Sequence, residues 1–351
     1  MRQLTRSIVA GVFFALAPLA GAQVCPADCD GDGKLTILDF VCFQNAFVAG
    51  DEGADCDRDG ELNILDFVCY QNLFVQGCSE KGTFPEMWIN GGDCATEPTI
   101  QVHQYDDDTY ILRQSLCTNF EGPFMYLLFG DDKVLMQDTG ANDPDLPLAE
   151  TVYAIIDDWL EAHDKESIQL VVTHSHSHGD HVAHDNQFIG QPNTVVVGKQ
   201  VADVVSFFGF QNWPLEPVTF DLGGREIDVI GIPGHHATHI ALFDAQTGIL
   251  FTGDTLYPGR LYISSFGEYL MSIQRLVDFT AARSVCWVLG THIEMSNTPG
   301  DDYPFGATFH PDEHPLQLTR DHLLELNQAV IGMQDDPKIE VHDDFIVYPL
   351  N

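Results

Sequence analysis

The chain has 351 residues, 44% of them hydrophobic, and carries 53 acidic against 15 basic side chains, a formal net charge of −38 at pH 7. Such an excess of anions repels nucleic acid and anionic lipid headgroups and favours cations as partners. A nucleic-acid enzyme is therefore disfavoured, although bound cations would locally reverse the field, and no nucleic-acid partner is expected; the length leaves room for a large buried core.

The chain opens with MRQLTR, the apolar run Ser7 to Leu19 and the small residues Ala20, Gly21 and Ala22. That is the basic, apolar and small-residue order of a secretory signal peptide, so residues 1–22 are expected to be removed after Ala22. The run is short of the roughly 20 residues that cross a bilayer, and Pro18 interrupts it. A secreted, periplasmic or cell-surface protein with no membrane span is therefore expected. Nine cysteines fit an oxidising compartment. Cys25, Cys29, Cys42, Cys56, Cys69 and Cys78 crowd one segment, where sequence alone cannot pair them, although Cys25 with Cys78 would clasp its ends. Cys94 and Cys117 are candidates for a separate bridge. Cys286, in the apolar run VCWVLG, reads as a buried small hydrophobe.

Residues 28–39, DCDGDGKLTILD, recur as residues 55–66, DCDRDGELNILD, with their cysteines in register. Each copy sets carboxylates at loop positions 1, 3 and 5 (Asp28, Asp30, Asp32; Asp55, Asp57, Asp59) and a glycine at position 6 for the sharp turn. A backbone carbonyl follows at Lys34 or Glu61, and Asp39 or Asp66 closes the loop. These are oxygen ligands suited to calcium, one ion per copy, with Asp in place of the usual closing Glu. The runs FVCFQNAF and FVCYQNLF read as short helices. The duplicated pattern resembles dockerin modules, and the resemblance implies a small helical EF-hand-like anchor over residues 23–78 with a cohesin-like or other cell-surface partner. A segment this small has little core, so calcium and disulfides are expected to hold it together.

From residue 79 to residue 351 the apolar runs MYLLFG, KVLMQD, IQLVVTH, TVVVG, IDVIGI, ALFD, ILFTGD and VCWVLG read as strands. Ala149 to Ala162 and Pro315 to Met333 carry helical patterns. The prediction is a mixed α/β sandwich. Within it, Thr173 to His181 read THSHSHGDH, placing His176, His178, Asp180 and His181 in an HxHxDH pattern. Alternate residues of an extended backbone point to opposite sides, so this loop can supply ligands to two neighbouring metal ions. The spacing points to a hydrolytic metalloenzyme. His235, Asp254 and His292 likewise fall just past the carboxyl ends of predicted strands, where a rigid scaffold presents loop ligands.

In order along the chain stand DTG (Asp138 to Gly140), HSHGDH (His176 to His181), PGHHATH (Pro233 to His239), FTGDT (Phe251 to Thr255) and GTH (Gly290 to His292). Together they resemble the metallo-β-lactamase superfamily over nearly the whole of residues 79–351. The resemblance implies an αββα sandwich with its metal site at one edge and two zinc ions. His176, His178 and His235 would hold the first, and Asp180, His181 and His292 the second, with Asp254 bridging. Iron or manganese would suit the same ligands. Two such cations would bring the pKa of a shared water to about 7 and supply a hydroxide nucleophile at neutral pH. Asp180 is a candidate to orient it, and Asp138 to hold a ligand imidazole, unless it is a plain turn carboxylate. Asp254 speaks against a true β-lactamase, whose branches carry Cys or Ser there. Tyr257 resembles the tyrosine that lactonases aim at the substrate oxygen. Gly259, Arg260, Leu261 and Tyr262 look like a shortened form of the segment with which glyoxalase II enzymes hold glutathione. Both tyrosines also suit plain packing with a wet hydroxyl. His239 and the segment Phe309 to His314 are candidates to line the pocket. An exported enzyme meets little glutathione, so an ester or lactone is expected ahead of a thioester, with phosphodiester hydrolysis as the next alternative and a non-catalytic binding or anchoring protein as the competing class.

Overall fold

The computed structural model describes residues 27, 29, 36–56, 61–76 and 82–350. The proposed signal peptide, Cys25, Cys78, and the calcium positions Asp28, Asp30, Asp32, Lys34, Asp57 and Asp59 lie outside the described residues.

Two helices, α1 (Ile37–Ala49) and α2 (Ile64–Gln76), form the front of the molecule. They coincide with the two expected helical runs and extend beyond them. Thr36 caps α1: its hydroxyl accepts the Leu38 N–H at 3.1 Å while Asp39 Oδ2 accepts the Thr36 N–H at 2.7 Å. This reciprocal box satisfies donors the helix cannot satisfy itself. Gly50, at φ +72°, closes the other end. Asp66 serves α2 in the same way, accepting the N–H groups of Asn63 and Cys56, each at 2.8 Å. Disulfides join Cys29 to Cys42 and Cys56 to Cys69, one within each copy of the repeat. The apolar interior is small, built on Phe43 stacked on Tyr70 at 4.0 Å with Ala27 and Ala54 beside them.

The rest of the described chain runs β1 (Ile100–Asp106), β2 (Thr109–Gln114), β3 (Phe124–Phe129), β4 (Lys133–Gln137), α3 (Leu148–Ala162), β5 (Gln169–Thr173), α4 (Asp185–Phe188), β6 (Thr194–Val196), α5 (Val201–Phe208), β7 (Val218–Asp221), β8 (Glu226–Gly231), β9 (Ile240–Asp244), β10 (Ile249–Gly253), β11 (Arg260–Ile263), α6 (Phe266–Thr280), β12 (Trp287–Gly290), β13 (Gln317–Leu318), α7 (Arg320–Gly332), β14 (Glu340–Val341) and β15 (Ile346–Pro349). All eight expected strands are present. One six-stranded sheet has the order β1-β2-β3-β4-β5-β6, a second β13-β12-β10-β9-β8-β7, and a three-stranded sheet β11-β15-β14.

The layering follows from strand alternation. In β3, Phe124, Tyr126 and Leu128 face the second sheet, while Met125, Leu127 and Phe129 pack with Val152, Ile155, Ile156 and Trp159 of α3. In β9, Ile240 and Leu242 point into the space between the sheets. Ala241 and Phe243 point outward onto Tyr269, Ile273 and Leu276 of α6 and Leu323, Leu326 and Val330 of α7. Strands buried on both faces read as continuous apolar runs, and that is why they stood out in the sequence. Helices, two sheets and helices therefore stack as the expected αββα sandwich. The helical reading of Pro315 to Met333 is corrected at its start. Leu318 pairs with Val288 of β12, and α7 begins only at Arg320, after Thr319 caps it. A Cys94–Cys117 disulfide is present, and Cys286 is buried outside any disulfide. Among the described residues no helix is long and apolar enough to cross a membrane.

Candidate metal centre

β5, β8, β10 and β12 end at one rim, and the loops leaving them carry the seven expected donors. β4 contributes the support. Asp138 leaves it at φ +70°, a conformation sparsely used outside glycine. The turn aims its carboxylate across the rim: Oδ1 accepts the Ser175 N–H at 2.6 Å and Oδ2 the Ser175 hydroxyl at 2.8 Å. Gly253, at φ +52°, ends β10 where a side chain could not fit, since a Cβ there would lie 2.5 Å from His239 Nε2 and 2.7 Å from Ser175 Cβ.

The donors form two groups that share one residue. In the first, His176 Nε2, His178 Nδ1 and His235 Nε2 lie 2.8, 3.0 and 3.1 Å from one another. In the second, His181 Nε2 is 3.2 Å from Asp180 Oδ2, and His292 Nε2 is 3.4 Å from the same oxygen. Asp254 divides its carboxylate between them. Oδ2 lies 3.7 and 3.5 Å from His176 and His235, and Oδ1 lies 3.4 Å from both His181 and His292.

Three further contacts fix which nitrogen faces inward. His235 Nδ1–H donates to the Tyr262 carbonyl at 2.6 Å, His292 Nδ1–H to the Glu121 carbonyl at 2.9 Å, and His181 Nδ1–H to Asp138 Oδ2 at 3.0 Å. Each turns Nε2 toward the group, the arrangement by which outer partners orient ligand imidazoles. Ser175 Oγ sits 3.1 Å from His176 Nδ1, and the Thr291 hydroxyl donates to Asp254 Oδ1. His178 alone of the five donor imidazoles turns Nδ1 inward.

These residues fit metal ions on their own geometry. His181 Nε2 is buried and has no hydrogen-bond partner. Three imidazole nitrogens converging at 2.8 to 3.1 Å have too few protons to bond one another, but they approach the roughly 3.3 Å edge of a tetrahedron around one zinc. The nitrogen and carboxylate donor set suits zinc, iron or manganese.

Electrostatics separates the two groups. Burial, with the neighbouring imidazoles behind it, pushes His176 well below its ordinary range and lowers His178 and His235, so all three are neutral near pH 7. Burial alone would also lower His181 and His292. The carboxylates of Asp180 and Asp254 reverse it, lifting His181 well above its ordinary value and His292 to about 10. Burial opposes ionisation of Asp180 and Asp254, yet His181 and His292 hold both well below the usual carboxylate range. Glu121, over the same edge, is raised by burial to about 7.

Several expected roles change. The Tyr257 hydroxyl is not presented to a substrate: the side chain is buried, donates to the Arg260 carbonyl at 2.5 Å, and lies 3.2 Å from Glu294 Oε2. Its ring packs 5.5 Å from His292. Arg260 is not a free anion receptor, because its guanidinium pairs with Glu294 at 3.2 Å and Asp302 at 2.5 Å. Tyr262 acts through its backbone carbonyl on His235, its ring lying against Tyr348. His239 is wholly buried and stacks 4.7 Å behind His176, so it does not line an open pocket. Of the Phe309 to His314 segment, His310 does reach a cleft beside the site. Ser175, Thr291 and the Glu121 carbonyl were not among the expected residues. The first two lie inside quoted motifs and were visible as hydroxyls flanking donors, whereas a backbone carbonyl carries no sequence signal.

A model of the metallo-beta-lactamase superfamily matches residues 118–331, a span that contains all seven donors. Over 165 residues the chain is 31% identical to a hydroxyacylglutathione hydrolase of Synechococcus sp. (strain JA-3-3Ab), covering 46% of this chain and 62% of that protein. It is 36% identical over 78 residues to an acyl-coenzyme A thioesterase of Gallus gallus, covering 21% of this chain and 28% of that one. The chain thus spans less than two thirds of the length of these relatives. Among solved structures, a metallo-beta-lactamase from Pontibacter korlensis aligns at 16% identity and a TM-score of 0.43, over 66% of this chain and 99% of that one. Because the family match runs over more than half of its length, the chain belongs to the metallo-beta-lactamase superfamily.

Proposed function

We propose that the protein is a dinuclear zinc-dependent hydrolase of carboxylic ester or thioester bonds. The observation that carries this reading is the division of Asp254 between two donor groups, with one oxygen toward each. Cations held there would polarise a carbonyl oxygen and activate water near neutral pH. His176, His178 and His235 serve one position as neutral nitrogen donors, and Asp180, His181 and His292 serve the other. Asp180 is partly open to solvent, at 23% side-chain exposure, and suits orienting an incoming water. Asp138, through Ser175 and His181, holds the geometry. The similarity to two thioester hydrolases moves thioesters ahead of lactones as test substrates.

We assign residues 79–351 to the hydrolase and residues 23–78 to a dockerin-like, calcium-binding anchor, following a signal peptide over residues 1–22. Support for anchoring comes from a repeated exposed apolar face: Ile37, Leu38 and Val41 on α1 recur as Ile64, Leu65 and Val68 on α2, all solvent-exposed. Disulfides in both parts are compatible with export.

The test is hydrolysis by the zinc-equilibrated full chain of a panel of ester, lactone, thioester, phosphodiester and β-lactam, beside Asp254→Ala and with bound zinc counted. Selective turnover that the variant loses is expected. Silence across the panel with two zinc ions bound per chain would overturn the reading in favour of a binding role.

A further inference from the structure

The PGHHATH turn after β8 carries three imidazoles, and each takes a different place. His235 is a donor of the first group, and His239 is wholly buried behind His176. His236 belongs to neither donor group. It is half-buried at the rim, its ring 4.7 Å from that of His178 at 69° and 5.7 Å from that of His176. The two donor groups are complete without it, so metal binding does not account for an imidazole at this place.

Hydrogen bonding fixes how the ring is turned. The Thr238 N–H, which can only donate, points at His236 Nδ1 at 3.2 Å, and the Thr238 hydroxyl lies 2.9 Å from the same nitrogen. Nδ1 is therefore the acceptor, and the ring proton sits on Nε2. Thr238 is itself buried and tied down. Its hydroxyl is 3.0 Å from Ser177 Oγ, and Ser177 donates to the Lys199 carbonyl at 2.7 Å. Nε2, on the far side of the ring from Thr238, has no hydrogen-bond partner among the described residues and is not enclosed, so it reaches solvent. The turn thus holds an N–H donor ready at the open edge of the first donor group.

We infer that His236 contacts the substrate, its Nε2–H hydrogen-bonding the carbonyl oxygen of the ester or thioester as negative charge develops there. The inference rests on the hydrolase reading above and adds a residue to it. As a hydroxide oxygen bonds to the carbonyl carbon, the C=O electron pair moves onto the carbonyl oxygen. Nε2–H stabilises that oxyanion without giving up its proton. The charge leaves the oxygen when the C=O bond re-forms and the C–O or C–S bond breaks, and the departing alkoxide or thiolate takes the proton of the new carboxylic acid. A donor already oriented needs no reorganisation at that moment, which is why such groups act on the transition state more than on the bound substrate.

His236→Ala and His236→Gln, each in the zinc-equilibrated full chain with bound zinc counted, test it. Both lose the acceptor that Nδ1 offers Thr238, and only Gln restores an N–H donor at a similar reach. The phenyl ester and phenyl thioester of hexanoic acid give kcat and KM. Calorimetry gives the affinity for hexylphosphonate, a tetrahedral anion with no bond to hydrolyse. Ala is expected to lower kcat on the order of 10² with KM little changed, and to weaken hexylphosphonate about tenfold. Gln is expected to recover most of both. Wild-type kcat and phosphonate affinity in the Ala variant, or a Gln variant no better than Ala, would overturn the inference. If Ala fails to hold two zinc ions, His236→Met, which fills the space without a donor, takes its place in the comparison. Should the wild type turn over neither ester, the hydrolase reading alone would fail, because the phosphonate affinities still decide whether His236 donates.

Discussion

The front module and the rim of the sandwich both carry acids and donors at metal-motif spacing, and they use them differently. In the module the described loop-closing carboxylates, Asp39 and Asp66, are buried and accept backbone N–H groups at the starts of α1 and α2. On the rim, His181 Nε2 is buried with no hydrogen-bond partner, and three imidazole nitrogens face each other at 2.8 to 3.1 Å. A capping carboxylate is explained by the helix it serves. Three convergent nitrogens with too few protons to bond one another fit a cation, since buried polar groups otherwise find partners. Motif spacing alone does not separate the two cases, and the hydrogen-bond inventory does.

The largest effect is expected where one residue serves both donor groups. Asp254→Ala removes one oxygen from each, so bound zinc should fall and hydrolysis should drop on the order of 10³ in kcat/KM. Metal content and turnover measured on the same preparation decide it. A variant that kept two zinc ions and most of its activity would break the account of Asp254 as the shared ligand.

Next comes the dependence on cross-links. Among the described residues the module's fully buried interior holds Phe43, Tyr70, Ala27, Ala54 and Cys69, ringed by partly buried Phe40, Phe47, Phe67 and Phe74, against the three extensive cores of the sandwich. Removing Cys29–Cys42 as a Ser pair should cost about 2–5 kcal/mol, enough to melt a segment with so little core. Removing Cys94–Cys117 should leave the sandwich folded. Two separate unfolding transitions, of which only the earlier shifts in the first variant, are expected by near-ultraviolet circular dichroism. A single transition that shifts equally for both variants would show that the two regions unfold as one.

The rim was legible in the sequence because its donors sit in tight motifs directly after strongly apolar strands. β5, β8, β10 and β12 each announce themselves by residues buried on both faces, and His176, His235, Asp254 and His292 follow within a few positions. β1, β2, β7, β11 and the short β13, β14 and β15 were passed over. β1 and β7 stand at sheet edges with alternating polar residues, and β11 is the short segment read as a substrate-binding loop. Arg260 and Tyr257 were misread for one reason: sequence shows that an Arg and a Tyr follow Asp254. It does not show that Glu294, 34 residues after Arg260, meets the backbone N–H of Arg260 and the hydroxyl of Tyr257. Long-range ion pairs carry no local signal.

A smaller effect should distinguish the two donor groups from each other. Asp138 hydrogen-bonds His181 directly, whereas it reaches His176 only through Ser175. Asp138→Asn keeps the shape and removes the charge, so zinc affinity should fall by about 10–100-fold, mostly at the position served by His181. Titration with zinc should then resolve one tight and one weakened step. Equal weakening of both would place the support in Ser175 instead.

The smallest effect lies behind the rim, in a group that holds the HxHxDH loop without touching a metal position. Asp185 accepts from the Thr139 hydroxyl at 2.9 Å, lies 2.8 Å from His174 Nε2, and pairs with Lys199 at 3.1 Å. Burial alone would raise its carboxyl, but His174, Thr139 and Lys199 together bring it below its ordinary value. An acid whose folded pKa lies below the unfolded one contributes stability that is present above the unfolded pKa of about 4 and fades as pH falls through the folded value. Acid unfolding of the wild type should therefore steepen below about pH 4. Asp185→Asn should cost about 1–2 kcal/mol at neutral pH through weakened hydrogen bonds and flatten that acid limb. If the variant lost stability equally at pH 7 and pH 3, the carboxylate's charge would have no part in holding the loop, and packing around Phe188 would be the cause. Because Asp185 meets none of the seven donors, a shift in zinc affinity accompanying the stability loss would measure how far the loop's anchoring reaches the rim.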